Sequence, residues 1–318
     1  MNLDGIHHVT AITGDAQRAI DFHVGVLGLR LVKTTVNFDA PDLYHLYMGD
    51  ESGSPGSILT FFEVRGAAPG RPGAGMVNRI VWRVPTAASL DVWADRLSAA
   101  GRPVDRDEAT LTSSDPEGLG IELVVASPED GAARAAHSAG VAPRDALGGI
   151  AGVRAYSRAP EATEAVLSGG LGFVRESAGR LVTRGAERRG LYLVDAPPGG
   201  HAVQGAGTVH HVAWTAPDNE HADWIARVRQ SGGHPTEVID RQYFRSIYFH
   251  EPGGVMFEVA SAGPGFAVDE APARLGEALR LPPQYERYRD AIEERLTPLR
   301  NPRAGTAAPV MADTRGTT

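Results

Sequence analysis

An internal fourfold repeat constrains this chain more than any other feature, because units too small to cover their own sheets must fold against one another. Short apolar strands open the units at Gly5 to Ile12, Met76 to Val84, Gly149 to Tyr156 and Thr208 to Thr215. Each leads into a helix whose N-terminus carries a capping-type or proline signal: Asp15, Thr86, Pro160 and Asp218. Glycines then close the helices, and strand pairs follow around related turns. These read SPGSILTF from Ser54, DPEGLGIE from Asp115 and EPGGVMFE from Glu251, with a looser GAERRGLYLV from Gly185. Strand starts roughly 60–70 residues apart suit one βαβββ unit each. The expected fold is α+β, with four βαβββ modules pairing into two curved, barrel-like sheets.

Composition removes several chemistries. The chain of 318 residues has no cysteine, which excludes disulfides, thiol nucleophiles, thiolate-bound zinc and iron–sulfur clusters. Its only lysine is Lys33, with no phosphate-loop or Schiff-base motif around it, and it reads as solvated surface together with the charged stretch Arg287 to Arg295. A formal charge of −8 argues against a nucleic-acid partner. No apolar run approaches the ~18–20 residues that span a bilayer, and the N-terminus lacks a signal-peptide pattern, so no membrane and a cytoplasmic location are expected.

The first and fourth opening strands share a His-His-Val at their centres, IHHVTAI from Ile6 and VHHVAWT from Val209. Strand alternation puts His8 on one face with Ile6 and Thr10, and His7 on the other with Val9. His211 likewise sides with Val209 and Ala213. Glu258 stands in the apolar closing strand GGVMFEVA, where an ionised carboxylate needs a cation or strong donor. Two histidines and one carboxylate form the facial set that suits non-haem Fe(II), with Mn(II) as competitor. A metal held by a histidine from each of these two strands and by Glu258 is therefore expected.

Aligning Pro55 with Pro252 places Phe61 where the fourth unit has Glu258. In the middle units Arg79 and Gly152 replace the histidines, and Glu122 stands alone, so units 2 and 3 are expected to be metal-free. Ligands from units 1 and 4 require 1–68 and 200–264 to share a sheet. That leaves 75–198 for the second pair, with 127–147 as a linker holding one short helix. Residues 265–300 form an extension in which Pro283 to Leu299 predicts a surface helix. The stretch 301–318 predicts a disordered tail.

The combination of GIHHVT from Gly5, YHLYMGDESGSPGSILTFF from Tyr44, VHHVAW from Val209 and YFRSIYFHEPGGVMFE from Tyr243 resembles the vicinal oxygen chelate superfamily of glyoxalases, bleomycin-resistance proteins and extradiol dioxygenases. Within it, the match is closest to hydroquinone ring-cleaving dioxygenases. The resemblance implies iron ligands at His8, His211 and Glu258, a substrate-pocket tyrosine and arginine at Tyr248 and Arg241, and outer-sphere residues at His7, His210 and Thr10. By strand parity His7 and His210 point away from the metal. His45 and Tyr47 share a strand face and receive no role.

The implied activity is an extradiol-type Fe(II) dioxygenase acting on a small aromatic substrate and O2, with a homo-oligomer left open. Two other readings stand beside it. One is a glyoxalase-like metal-dependent isomerase or lyase, which needs a fourth ligand that a bulge at Glu63 would supply. The other is a non-catalytic protein that sequesters a small molecule.

Overall fold

The computed structural model describes residues 1–138 and 140–303. The first module comprises β1 (Ile6–Thr13), α1 (Ala16–His23), β2 (Arg30–Val36), β3 (Tyr44–Gly49) and β4 (Ile58–Glu63). The second has β5 (Met76–Val84), α2 (Ala87–Ala99), β6 (Asp105–Arg106), β7 (Thr110–Ser114) and β8 (Gly120–Val125). The third has β9 (Ile150–Tyr156), α3 (Pro160–Gly169), β10 (Val174–Ser177), β11 (Arg180–Arg184) and β12 (Arg189–Asp195). The fourth has β13 (Thr208–Ala216), α4 (His221–Gln230), β14 (Ile239–Asp240), β15 (Arg245–His250) and β16 (Met256–Ser261). The α+β expectation of repeated βαβββ modules in two curved sheets holds.

Strand order is β14-β15-β16-β13-β1-β4-β3-β2 in one sheet and β10-β11-β12-β9-β5-β8-β7-β6 in the other. Each sheet thus joins two modules through their opening strands, which pair antiparallel: β1 with β13, and β5 with β9. Helices cover one face of each sheet, burying residues such as Ile20 and Phe22 of α1 and Leu90, Trp93 and Leu97 of α2. Arg188 ties the sheets together, donating to the carbonyls of Ile6 (3.0 Å) and Pro55 (2.5 Å) and to Thr215 Oγ1 (3.0 Å).

Local signals set the helix starts. Asp15 and Thr86 accept from the backbone N–H of Arg18 and Ser89, and Pro160 opens α3. Asp218 is a correction. The helix begins three residues later, after Glu220, and Asp218 instead accepts from the Gly263 N–H at 3.3 Å. The 127–147 segment holds two short 3-10 turns, Pro128–Asp130 and Pro143–Asp145. A 3-10 turn at Pro283–Tyr288 runs into α5 (Arg289–Glu293), whose Ile292 packs into the core while its charged side chains face outward. Most of the tail predicted at 301–318 lies outside the described residues. No helix among the described residues is long and apolar enough to cross a membrane.

Lys33 overturns its surface assignment. It is fully buried, bonded to Asp269 Oδ1 at 2.5 Å and to Glu270 Oε2, with the Tyr243 ring 5.0 Å away. Both carboxylates belong to the segment after the fourth module, which lies along β2, where the Arg280 N–H donates to the Thr34 carbonyl. Sequence reading missed this because the partners lie more than 230 residues away and their cluster carries no local pattern. Lys33→Met leaves two carboxylates facing an apolar stem, so it should destabilise the fold by on the order of 3 kcal/mol. An unchanged midpoint in urea unfolding would contradict that pairing.

A second prediction concerns pH. His23 is buried in α1, and burial pulls its pKa from 6.5 down to about 4. Between those values the unfolded chain binds a proton that the folded chain refuses. Stability should therefore fall as the pH drops through that window, by about 1.4 kcal/mol per pH unit from this group. His23→Leu should flatten the stability–pH profile between pH 6.5 and 4, and an equally steep profile in the variant would contradict this.

Candidate metal centre

The centre is built across the β1–β13 junction. His8 pairs with Ala213, Ala213 with Glu258, and Glu258 with Tyr248, so one row of side chains crosses β1, β13, β16 and β15. One step along, Thr10 pairs with His211 and with Thr60, Thr60 with Tyr47, and Tyr47 with Lys33. Side chains at paired positions share a face, so His8, His211, Glu258, Thr10 and Tyr248 all point into the same trough.

His8, His211 and Glu258 are buried, and one potential ligand atom from each lies within 4.8 Å of the others. Glu258 Oε2 is 2.9 Å from His211 Nε2 and 3.2 Å from His8 Nε2, yet too poorly aligned for a hydrogen bond. The two Nε2 atoms stand 3.3 Å apart. Three electron-pair donors aimed at one point, with a buried oxygen left without a proper partner, are the arrangement a divalent cation satisfies. Burial pushes the Glu258 carboxyl upward, but the neighbouring His8 and His211 imidazoles hold it well below the usual carboxylate range. Ser246 donates to its other oxygen, Oε1, which fixes the carboxylate plane.

The paired histidines correct the parity expectation. In β1, Ile6 faces Trp214 and His8 faces Ala213, so His7 is an extra, bulged residue. In β13, Thr10 faces His211 and Ala11 faces Val209, so His210 is bulged in the same way. Bulges re-aim side chains. As a result His7 and His210 do not turn away from the centre but lie beside the ligand-position rings. His7 Nδ1 is 2.9 Å from His8 Nδ1, and His210 Nδ1 is 2.8 Å from His211 Nδ1. Burial lowers the pKa of both bulged histidines, that of His210 to about 4, so each imidazole is neutral and offers one acceptor nitrogen.

Open space lies on the remaining side, a cavity of about 520 Å³ with apolar walls that include Phe38, Leu43, Phe62, Phe244 and Met256. Arg241 and Tyr248 line it, and Arg241 Nε donates to the Tyr248 hydroxyl at 3.1 Å. Burial and the nearby Glu258 raise the Tyr248 pKa, so its hydroxyl keeps its proton. His45 and Tyr47, given no role from the sequence, line the same cavity. The signal that could have found them is their alternation with Thr60 on the neighbouring strand.

The fourth-ligand position also needs correction. The repeat equates Ala213 with Thr10, and Ala213 pairs with Glu258 whereas Thr10 pairs with Thr60. Thr60, not Phe61, is therefore the first-module counterpart of Glu258, the turn-based alignment being one residue out. Phe61 faces the helix side, 4.7 Å from the His23 ring. Glu63 shares its parity, no bulge interrupts β1–β4, and the Glu63 carboxylate reaches the Ala16 N–H at the start of α1 (3.4 Å).

The second sheet repeats the geometry with different chemistry. Glu122 sits opposite Val81 as Glu258 sits opposite Ala213, and Arg79, Arg154 and Gly152 take the places of His211, Thr10 and His8. Two guanidiniums, Arg79 at 3.3 Å and Arg154 at 2.5 Å, hold the Glu122 carboxylate.

The family model described as Glyoxalase/Bleomycin resistance protein/Dioxygenase superfamily matches residues 5–123 and 153–259. A Bacillus subtilis (strain 168) protein named "Putative ring-cleaving dioxygenase MhqO" is 42% identical over 302 residues, covering 92% of this chain and 96% of its own. A Sphingobium indicum protein, "Chlorohydroquinone/hydroquinone 1,2-dioxygenase", is 32% identical over 309 residues, 91% of this chain and 95% of its own. A crystal structure of a "putative dioxygenase" from Bacillus subtilis subsp. subtilis str. 168 superposes with a TM-score of 0.87 at 40% identity, covering 94% of this chain and 98% of that one.

The geometry predicts uptake of one equivalent of Co(II), visible as a new absorption band. Glu258→Gln should weaken that uptake by more than about 100-fold while leaving the far-UV circular dichroism unchanged. Equal Co(II) affinity in the variant would remove Glu258 from the centre.

Proposed function

Since this chain belongs to the glyoxalase/bleomycin resistance protein/dioxygenase superfamily, we propose that it is an Fe(II)-dependent dioxygenase. It inserts O2 into a hydroquinone-type ring, between a hydroxylated carbon and its neighbour. One observation carries the reading: two histidines and one glutamate converge at the floor of an aromatic-lined cavity and leave its open side to other ligands. Iron(II) held by His8, His211 and Glu258 would supply electron relay between the bound aromatic and O2.

The chain's own groups bind, orient and control protons. The apolar walls around Phe38, Phe62 and Phe244 take a flat ring and exclude water from it. Arg241 and Tyr248 form a donor pair on the Glu258 side of the cavity, where they stabilise negative charge on the substrate's ring oxygen. His7 and His210 each accept the Nδ1 proton of the ligand histidine beside them, which fixes that ring as the tautomer whose Nε2 lone pair faces the centre.

The isomerase reading lacks its fourth ligand, because Thr60 holds the position and Glu63 turns to α1. A sequestering role leaves the buried carboxylate without a purpose.

Protein loaded anaerobically with Fe(II) should consume one O2 per hydroquinone in an oxygen electrode, and a metal-replete sample that consumes none defeats the reading. Tyr248→Phe keeps the ring and removes the hydroxyl, so kcat should fall by about 10²–10³ with iron content unchanged. Full turnover in that variant would make Tyr248 a packing residue.

A further inference from the structure

A chain of buried hydrogen bonds leaves the centre across the sheet. Thr10 Oγ1 lies 2.9 Å from His211 Nε2, and Thr60 Oγ1 donates to Thr10 Oγ1 at 3.0 Å. His45 Nε2 lies 3.0 Å from Thr60 Oγ1, and the Tyr47 hydroxyl lies 3.1 Å from His45 Nδ1. All four side chains are buried.

Proton counting fixes the direction of the chain. A threonine hydroxyl has one proton, and that of Thr60 goes to Thr10. His45 Nε2 must therefore be the donor to Thr60. Burial holds the His45 imidazole well below its ordinary pKa and so neutral, and with Nε2 protonated its Nδ1 is an acceptor to which Tyr47 donates. Burial also raises the Tyr47 pKa, so the hydroxyl retains that proton. At the other end Thr10 already accepts from Thr60 and has its own proton left to give. Once a cation takes the His211 Nε2 lone pair, that nitrogen can no longer accept it, and the free direction is the cavity, which Thr10 lines.

We propose that Thr60, His45 and Tyr47 are positioning residues that lock the Thr10 hydroxyl as a hydrogen-bond donor aimed at the oxygen handled beside His211. The direction of the chain rests on the bonds and on the neutral, buried His45 ring, not on the dioxygenase reading. The identity of the acceptor, an oxygen of O2 or of the phenolic substrate, rests on the dioxygenase reading. A donor fixed in advance stabilises negative charge on that oxygen without reorganising, whereas an unfixed Thr10 turns its proton elsewhere part of the time.

Two measurements on the full chain test this. Two-bond 1H–15N NMR of the protein with Zn(II) added, which is diamagnetic, should show His45 protonated at Nε2 and bare at Nδ1. The opposite tautomer overturns the chain whatever the enzyme does. With Fe(II), Thr60→Val should lower kcat about tenfold or more, with iron content and the KM for hydroquinone unchanged, while Thr60→Ser restores most of the rate. His45→Gln, which can accept at one end and donate at the other, should retain more activity than His45→Leu. Equal rates for the valine and serine variants, or a loss confined to KM or iron content, would overturn the positioning role. If wild-type protein consumes no O2, the dioxygenase reading fails separately, and the His45 tautomer still decides the chain.

Discussion

The antiparallel pairing of β1 with β13 is the contact on which the centre depends. It brings His8 and His211, 203 residues apart in sequence, to 3.3 Å, and it sets Glu258 one strand further along the same row. Because each strand carries one bulge at its first histidine, two adjacent side chains that alternation would separate end up side by side. A continuous ladder in this place would send His7 and His210 to the helix-covered face and leave the ligand-position rings without their neighbours. The nearness of the paired histidine rings is thus a consequence of a bulge in each strand, and the two bulges are related by the same near-symmetry that relates the modules.

The second sheet shows what the bulge does by itself. Asn78 and Ala151 occupy the bulged positions there, so the irregularity belongs to the module pairing and not to the histidines. Glu122 stands at the carboxylate position, and its charge is balanced by Arg79 and Arg154. One backbone arrangement carries either a metal-type donor set or an internal ion pair, and the choice is made by three side chains. Arg154 reaches on to Asp195 at 3.0 Å, which spreads the positive charge over two acids.

Much of this was legible in the chain because it is local or periodic. The four opening strands, the Asp15 and Thr86 caps and the meeting of the two His-His-Val strands with Glu258 follow from short patterns that the repeat amplifies. What stayed hidden depends on register or on distant partners. A one-residue offset between the Pro55 and Pro252 turns made Phe61 the expected counterpart of Glu258, when strand pairing gives Thr60. Parity failed for His7 and His210 because a bulge breaks period two and leaves no mark in composition. Asp218 looked like a cap, yet it bonds to the segment following β16. His45 and Tyr47 gained meaning only when β3 was laid against β4, since their partners, Thr60 and then Thr10, lie on other strands.

Lys33 closes the far end of the row that begins at His211, under the strap of Asp269 and Glu270. As the sole lysine of the chain, it leaves the bond between Lys33 and Thr34 as the one peptide a lysine-specific protease can cut. That bond lies inside β2, the edge strand of its sheet, with the strap's Leu279 bridged to Thr34, so it is exposed only when this edge opens. The chain therefore carries a built-in clock. The rate at which such a protease nicks it reports the local opening free energy of the β2 edge and the strap over it, read from a single fragment pair of 33 and 285 residues.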